Sequence, residues 1–506
     1  MTVLQSRRSG VLLHITSLPG PHGSGDFGPS AYRFVDWLNA TGQSIWQLLP
    51  VTPIGPGNSP YQGVSAFAGN PWLVALEPLV AKGWLKEDGL SDVVFPADQV
   101  DYGRVLPWRE QKLREAAKNF FDSDDQADQE AFAAWCKNQA AWLGDYALFM
   151  ALKTANGGQP WWSWDKGLSR RDPDAISEVR GQMTKEIDFW CFVQWCFEAQ
   201  LAALKSYANE RGVSIMGDMP IFVAHDSVEC WSQPENFYFD ENFQTTVVAG
   251  VPPDAMSPTG QRWGNPLYRW DRMVENGFAW WIDRLQRTLS TADLVRIDHF
   301  RGFAAYYEIP ADSVDATTGR WVDAPGDALF SAIEDKLGKL PIVAEDLGLI
   351  TPDVVELRQQ FHLPGMKILQ FGFGGDGSHE FLPHNYEVNS VAYTGTHDND
   401  TALGWWTHTN ERERVFAGSY LAAGGHDIHW AMIRAACNSV SIAVVFPLQD
   451  VLGLGSSHRM NVPGTLDDNW SWRFEWKMIS PETTRVLGLI TAASGRGPIV
   501  LLGLPA

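Results

Sequence analysis

Short aliphatic runs that end in polar residues recur along the whole chain, and helical patterns fill many of the gaps between them. Eight such runs read as strands: Gly10 to Ile15, Ser44 to Leu49, Val213 to Met216, Leu294 to Ile297, Pro341 to Ala344, Met366 to Phe371, Ser390 to Tyr393 and Ser441 to Phe446. In the third, Gly217 reads as a tight turn and Asp218 as the polar end. After the fifth, Thr351 is placed to cap a helix, with Pro352 at its first position and Asp353 at its positive end. Before the third, Ile187 to Arg211 reads as a long helix with Ile187, Trp190, Cys191 and Trp195 at helical spacing, stopped by Gly212. Eight strands alternating with helices predict an α/β fold, a closed (β/α)8 TIM barrel, although a doubly wound open sheet shows a similar alternation.

The spacing is uneven. The gap between the second and third strands is too long for a bare connection, so residues from about 72 to 185 are expected to form a mainly helical insertion. Within it Asp122 to Glu130 is acidic, and Phe132 to Leu152 reads as a helix. A second insertion, about 224–290, includes a Pro- and Gly-rich stretch from Val251 to Pro266, read as a loop over the barrel mouth. The whole of 1–506 is thus expected to be one catalytic barrel with helical and loop insertions.

Charge narrows the class. With 60 acidic against 39 basic residues and a net charge of −21, the chain has no electrostatic reason to approach nucleic acid or anionic lipid. Arg7 and Arg8 ahead of Val11-Leu12-Leu13 imitate a leader, but His14, Pro19 and Pro21 follow, and the run reads as the first strand. No stretch approaches the roughly 18 apolar residues of a membrane helix. Five cysteines, at 136, 191, 196, 230 and 437, form no CxxC pair and fit a reducing, cytoplasmic setting. Most of the 24 Trp belong to packing, but so many flat amphipathic rings also suit a sugar ligand.

In a barrel the acting residues lie at the carboxyl ends of several strands, and here those ends are acidic: Asp218, Asp298, Glu345 and Asp398. Two carboxylates on neighbouring strands can approach the roughly 5 Å used by retaining glycosidases, one attacking the anomeric carbon and the other protonating the leaving oxygen. Asp298 and Glu345 are that pair. Arg296, two residues before Asp298, faces the same side and is placed to hold the aspartate ionised. Glu345 needs a raised pKa, which neighbouring carboxylates favour, and Asp398 would stabilise positive charge on the sugar ring. Other chemistries lack support. The run Gly372 to Gly377 fits GxGxxG but is followed by Pro383 rather than a helix, and His379-Glu380 with His384 has the wrong spacing for a zinc helix. There is no GxSxG elbow and no phosphate-binding GxxxxGK[ST] loop. No metal or cofactor is expected.

Ser59-Pro60-Tyr61-Gln62, Gly217 to Ile221, Arg296 to Gly302, Ala344 to Gly348 and Gly395 to Asn399 together resemble the motifs of the amylomaltase family, the 4-α-glucanotransferases of the α-amylase clan. The resemblance runs from about residue 9 to about 495. It implies a retaining transfer of α-1,4-glucan segments between maltodextrins, of starch or glycogen origin, with Asp298 as nucleophile, Glu345 as acid/base and Asp398 as stabiliser. It further implies Tyr61, Asp218, Arg296 and His397 around the sugar at the cleaved bond, and Asp254, Gln261 and Trp263 on the acceptor-side loop, which would act as a lid. Arg459-Met460-Asn461 resembles another family motif and implies Asn461 as a glucan contact. The family often has an aromatic residue where this chain has Met256, which bears on acceptor length. Two alternatives stand beside transfer. A hydrolase of the same clan would show an Asn-His pair where Ile221-Phe222-Val223 stands. A non-catalytic glucan-binding barrel would be expected to have lost a carboxylate.

Overall fold

A computed structural model describes residue 4 and residues 6–254, 257–465 and 468–498. The strands among them, in chain order, are β1 (Arg8–Leu12), β2 (Ile45–Gln47), β3 (Ser214–Met219), β4 (Val247–Val251), β5 (Gln261–Pro266), β6 (Leu294–Ile297), β7 (Ala305–Pro310), β8 (Arg320–Asp323), β9 (Ile342–Ala344), β10 (Gly365–Ile368), β11 (Ser390–Tyr393) and β12 (Ala443–Pro447). Eight of these form one all-parallel sheet in the order β10-β11-β12-β1-β2-β3-β6-β9. Each corresponds to one of the eight apolar runs. Strands β2, β6, β9, β11 and β12 are buried at every position, as in a parallel sheet covered on both faces.

The barrel closes between β9 and β10 by an unusual join. The Ala344 N–H donates to the Pro364 carbonyl at 2.9 Å. Beyond it the Asp346 carboxylate takes the place of a backbone acceptor, receiving the Met366 N–H at 2.7 Å. Arg358 Nε lies 3.0 Å from the other Asp346 oxygen. Gly365 has to be glycine here, because a Cβ would sit 2.3 Å from Asp346 Oδ2. The motif carboxylate next to Glu345 therefore serves the barrel wall.

The chain between β2 and β3 carries helices at Tyr102–Phe121, Gln126–Asn138, Leu143–Ala155, Pro173–Gln182 and Thr184–Glu210. The last is the long helix expected before β3. The single helix expected over Phe132 to Leu152 is instead two, because their environments differ. Gln126–Asn138 buries no residue, whereas Leu143–Ala155 buries Leu143, Tyr146, Phe149 and Leu152. Gln139 ends the first helix, and its side chain accepts the Trp142 indole N–H at 3.0 Å. Thr351 takes up a cap conformation before Pro352–Gln360, but its hydroxyl makes no cap bond and is buried without a partner.

A second, four-stranded antiparallel sheet, β5-β4-β7-β8, was not foreseen. The stretch Val251 to Pro266, expected as loop, enters it: β4 and β5 form a hairpin, and β7 pairs with β4 from the other side of β6. The inner strands β4 and β7 are mostly buried, but Gly250 and Glu308 interrupt their aliphatic pattern, and the outer strands β5 and β8 carry exposed polar ends, so none has the pattern that marks a barrel strand. Gly250 is constrained here, since a Cβ would meet the Gln261 carbonyl at 2.2 Å.

Candidate functional site

Strand register brings the carboxylates together. Strand β3 runs three residues further than expected, so Gly217 is a ladder residue rather than a turn, and Asp218 lies directly opposite Arg296. Ile297 pairs with Ala344, which puts Asp298 and Glu345 one step beyond the last rung of adjacent parallel strands. The Glu345 N–H donates to the Ile297 carbonyl, and the Asp298 N–H to the Met219 carbonyl, both at 3.0 Å, so both backbones stay in the ladder.

The floor is an ion network. Arg296 Nη1 donates to both oxygens of Asp218 at 2.8 Å, and Nη2 donates to Asp298 Oδ1 at 2.9 Å. This leaves Asp298 Oδ2 outside the guanidinium contact. The Tyr61 hydroxyl donates to Asp218 Oδ2 at 2.7 Å. The Asp218 side chain is 0% exposed and that of Arg296 4%, while Asp298 is 29% exposed and faces the opening. Burial pushes the Asp218 carboxyl upward, and the guanidinium opposes that shift. With a two-point contact from Arg296 and one from Tyr61, Asp218 is held as the carboxylate of an ion pair. Burial and then Asp218 raise the Tyr61 hydroxyl well above its usual range, so it remains a donor.

Glu345 differs from its neighbours. Burial raises it well above the usual carboxylate range, Arg296 opposes this, and Asp298 adds to it. One of its oxygens, Oε2, accepts the His299 backbone N–H at 2.6 Å. His299 points that N–H at Glu345 by adopting a left-handed conformation at φ 51°. Its ring, kept neutral by burial at about 4, meets Trp263 edge-on with centroids 4.8 Å apart.

On the opposite side, Asp398 stands on the loop after β11 with a 47% exposed side chain. His397 Nε2 lies 3.3 Å from its Oδ2, and Asn461 Nδ2 donates to its Oδ1 at 2.6 Å. Arg459 Nη2 donates to the Asp398 carbonyl at 2.8 Å. The loop is braced from below by Asp450, which accepts the Thr394 hydroxyl at 2.5 Å and the Ala402 N–H at 2.7 Å. The His397 ring stacks on Tyr61 at 5.0 Å, with Trp470 tilted against both.

Tyr61, Asp218, Arg296, Asp298, Glu345, His397, Asp398 and Asn461 thus converge at the carboxyl ends of the barrel strands, linked by hydrogen bonds and ring contacts. Trp263 joins them through His299. Gln261 reaches the group only by accepting the Trp263 indole N–H at 3.1 Å. Asp254 is exposed in the β4–β5 turn, where its carboxylate accepts the Ser257 N–H at 2.6 Å. Met256 lies outside the described residues. Sequence reading assigned no role to His299, Trp470, Arg459 or Asp450. His299 and Arg459 had a signal in their closeness to Asp298 and Asn461. Trp470 had none.

A family profile described as 4-α-glucanotransferase, glycoside hydrolase family 77, matches residues 13–479. A 4-α-glucanotransferase of Thermus thermophilus is 49% identical over 97% of this chain and 99% of its own length. One from Synechocystis is 45% identical over 98% and 99%. The structure of an amylomaltase from Streptococcus agalactiae in complex with acarbose superposes with a TM-score of 0.94 at 40% identity, covering 97% of this chain and all of that one. The chain therefore belongs to glycoside hydrolase family 77, the 4-α-glucanotransferases, and is an enzyme that transfers α-1,4-glucan segments.

Proposed function

We propose that Asp298 is the nucleophile of a double displacement, Glu345 its acid/base and Asp398 the stabiliser of the charge that develops on the sugar ring. The observation that carries this reading is the register of β6 on β9, which sets Asp298 and Glu345 side by side in unlike environments. Asp298 Oδ2, outside the Arg296 contact, attacks the anomeric carbon of the donor. The bond from that carbon to the leaving 4-oxygen breaks, and Glu345 gives its proton to that oxygen. The resulting glycosyl ester is opened by the 4-hydroxyl of a second glucan, whose proton returns to Glu345 as Asp298 departs. Two displacements at one carbon retain its configuration.

Asp218 and Tyr61 orient Arg296, so the guanidinium meets Asp298 in a fixed direction; such preorganisation lowers the barrier without motion at the moment of reaction. His397 and Asn461 fix Asp398 from two sides. Trp263, with Gln261 and Asp254 on the same hairpin, is the acceptor-side cover. By holding a sugar and excluding water it favours transfer over hydrolysis. Short maltodextrins from starch or glycogen are the proposed substrates. Five unpaired cysteines support a reducing compartment, read as the cytoplasm. Among the described residues, no helix is long and apolar enough to cross a membrane.

Incubation with maltotriose tests the reading. Glucose together with a ladder of longer maltodextrins, at constant total reducing ends, is the expected result. Rising reducing ends without longer products would establish hydrolysis instead, and no change at all would point to a binding protein.

A further inference from the structure

Three side chains outside the transfer chemistry meet where the loop after β1 packs on the short helix Glu77–Ala81. His22, Asp26 and Glu77 each offer one ligand atom, and these atoms lie within 4.8 Å of one another. His22 is only 5% exposed, its ring lies on Trp108, and its Nδ1 is buried with no hydrogen-bond partner. That nitrogen faces Glu77 Oε1 at 3.7 Å, while Glu77 Oε2 is also buried and unpartnered. Buried polar atoms are almost always satisfied, so two orphans within one cluster of ligand atoms call for a missing partner.

The surroundings select its chemistry. Asp26 accepts the Gly28 N–H at 3.0 Å and the Arg109 guanidinium at 2.8 Å, so one of the two carboxylate charges is compensated and the other is not. Arg473, the other cation near Asp26, is spent on the carbonyls of Leu18, Gly20 and Pro96. Gly28 leaves the space between the carboxylates open, since a Cβ there would stand 2.7 Å from Asp26 Oδ1 and 3.3 Å from Glu77 Oε2. One imidazole nitrogen and two carboxylate oxygens form a donor set for zinc-like divalent ions. Two ligands about 2.1 Å from a tetrahedral ion lie roughly 3.4 Å apart, close to the 3.7 Å between His22 and Glu77. The Glu77 side chain is 39% exposed, which gives an ion an entry path and room for water.

We propose that His22, Asp26 and Glu77 bind a divalent transition-metal ion that clamps the loop after β1 to the segment after β2. Nothing in the sequence signals it, because the three residues lie 4 and 51 positions apart with no metal-binding spacing. The clamp is structural: it fastens the N-terminal barrel loop and takes no part in glycosyl transfer.

The test uses the full chain without a polyhistidine tag, stripped with chelator and titrated with cobalt(II) chloride. Equilibrium dialysis should give one cobalt per chain, visible d–d absorption should appear in step, and the melting temperature should rise with metal concentration. His22→Ala and Glu77→Gln should each weaken binding tenfold or more, with maltotriose disproportionation unchanged. Failure to bind a stoichiometric ion at millimolar cobalt would overturn the proposal. So would undiminished binding in both variants, which would place the ion elsewhere. Because wild-type protein is titrated first and transfer is assayed separately, neither a folding defect nor an error in the catalytic assignment can mimic these results.

Discussion

The barrel floor and the hairpin that covers it solve different problems with different materials. The floor is buried charge on regular strands: Asp218 and Arg296 are opposite one another in the ladder, and Arg296 donates to both Asp218 oxygens. The cover is an antiparallel hairpin whose inner end is anchored by Asn265, bonded to Gln62 and Val223, and whose outer end at Gln261 and Arg262 is exposed, with Trp263 between them against His299 and Phe222. Chemistry that develops charge needs groups fixed before the substrate arrives. A cover that admits and releases long glucans needs weak attachment. Substitutions in the floor should therefore act on the chemical step, and on stability as well where they strand a buried charge such as Asp218, whereas those in the hairpin should act on acceptor handling alone.

The largest effect tests the floor directly. Asp298→Asn keeps the shape and the Arg296 neighbour but removes the proposed nucleophile, so transfer should fall on the order of 10⁴-fold or more while the melting temperature stays close to wild type. Maltotriose kinetics and thermal unfolding read both. Next comes Arg296→Met, which leaves the fully buried Asp218 without its cation. A loss of about 3 to 5 kcal/mol in stability is expected from breaking such a pair, against about 1 kcal/mol for Tyr61→Phe, which removes one hydrogen bond. Urea unfolding measures both, and equal costs would break the picture of a floor organised by Arg296.

A pH profile sharpens it further. As the proposed acid, Glu345 has to enter the first displacement protonated, and burial raises its pKa. The proton is held below that pKa and lost as pH rises through it, so kcat/KM should decline on the alkaline side, about tenfold per unit beyond the pKa. In Glu345→Gln the residual rate should lose that limb. The smallest effects belong to the cover. Trp263→Ala should raise the acceptor KM roughly tenfold and increase free-glucose release relative to transfer, through lost ring contact of about 1 kcal/mol. Asp254→Ala, at an exposed turn, should leave stability within about 0.5 kcal/mol. Product analysis with maltose as added acceptor distinguishes the two variants.

How far the site could be read without coordinates follows the same division. The eight barrel strands were legible because a strand buried on both faces must be apolar throughout, and each run ended where the chain reaches polar surroundings. Asp298 and Glu345 were legible because they stand one residue past such runs. The extension of β3 to Met219 was not, since the glycine at 217 reads locally as a turn while its ladder partner lies 78 residues on in β6. The antiparallel sheet was missed for a related reason. Its strands come from both sides of β6, so no local window contains the pairing of β4 with β7 that stabilises them.

By itself, the sequence determined the alternation of buried strands and helices, the acidic strand ends and the family, because burial and motif chemistry are written residue by residue. Only the tertiary structure decided which environment each carboxylate occupies. Asp346 stands beside Glu345 in sequence, yet it closes the barrel wall, while Glu345 faces the His299 N–H and the opening. Asp218 and Asp298 are alike in composition, but one is sealed under Arg296 and Tyr61 and the other keeps an oxygen free. Solvation, register and the direction of a guanidinium are properties of residues brought together from distant parts of the chain, and these alone give chemically equal side chains unequal roles.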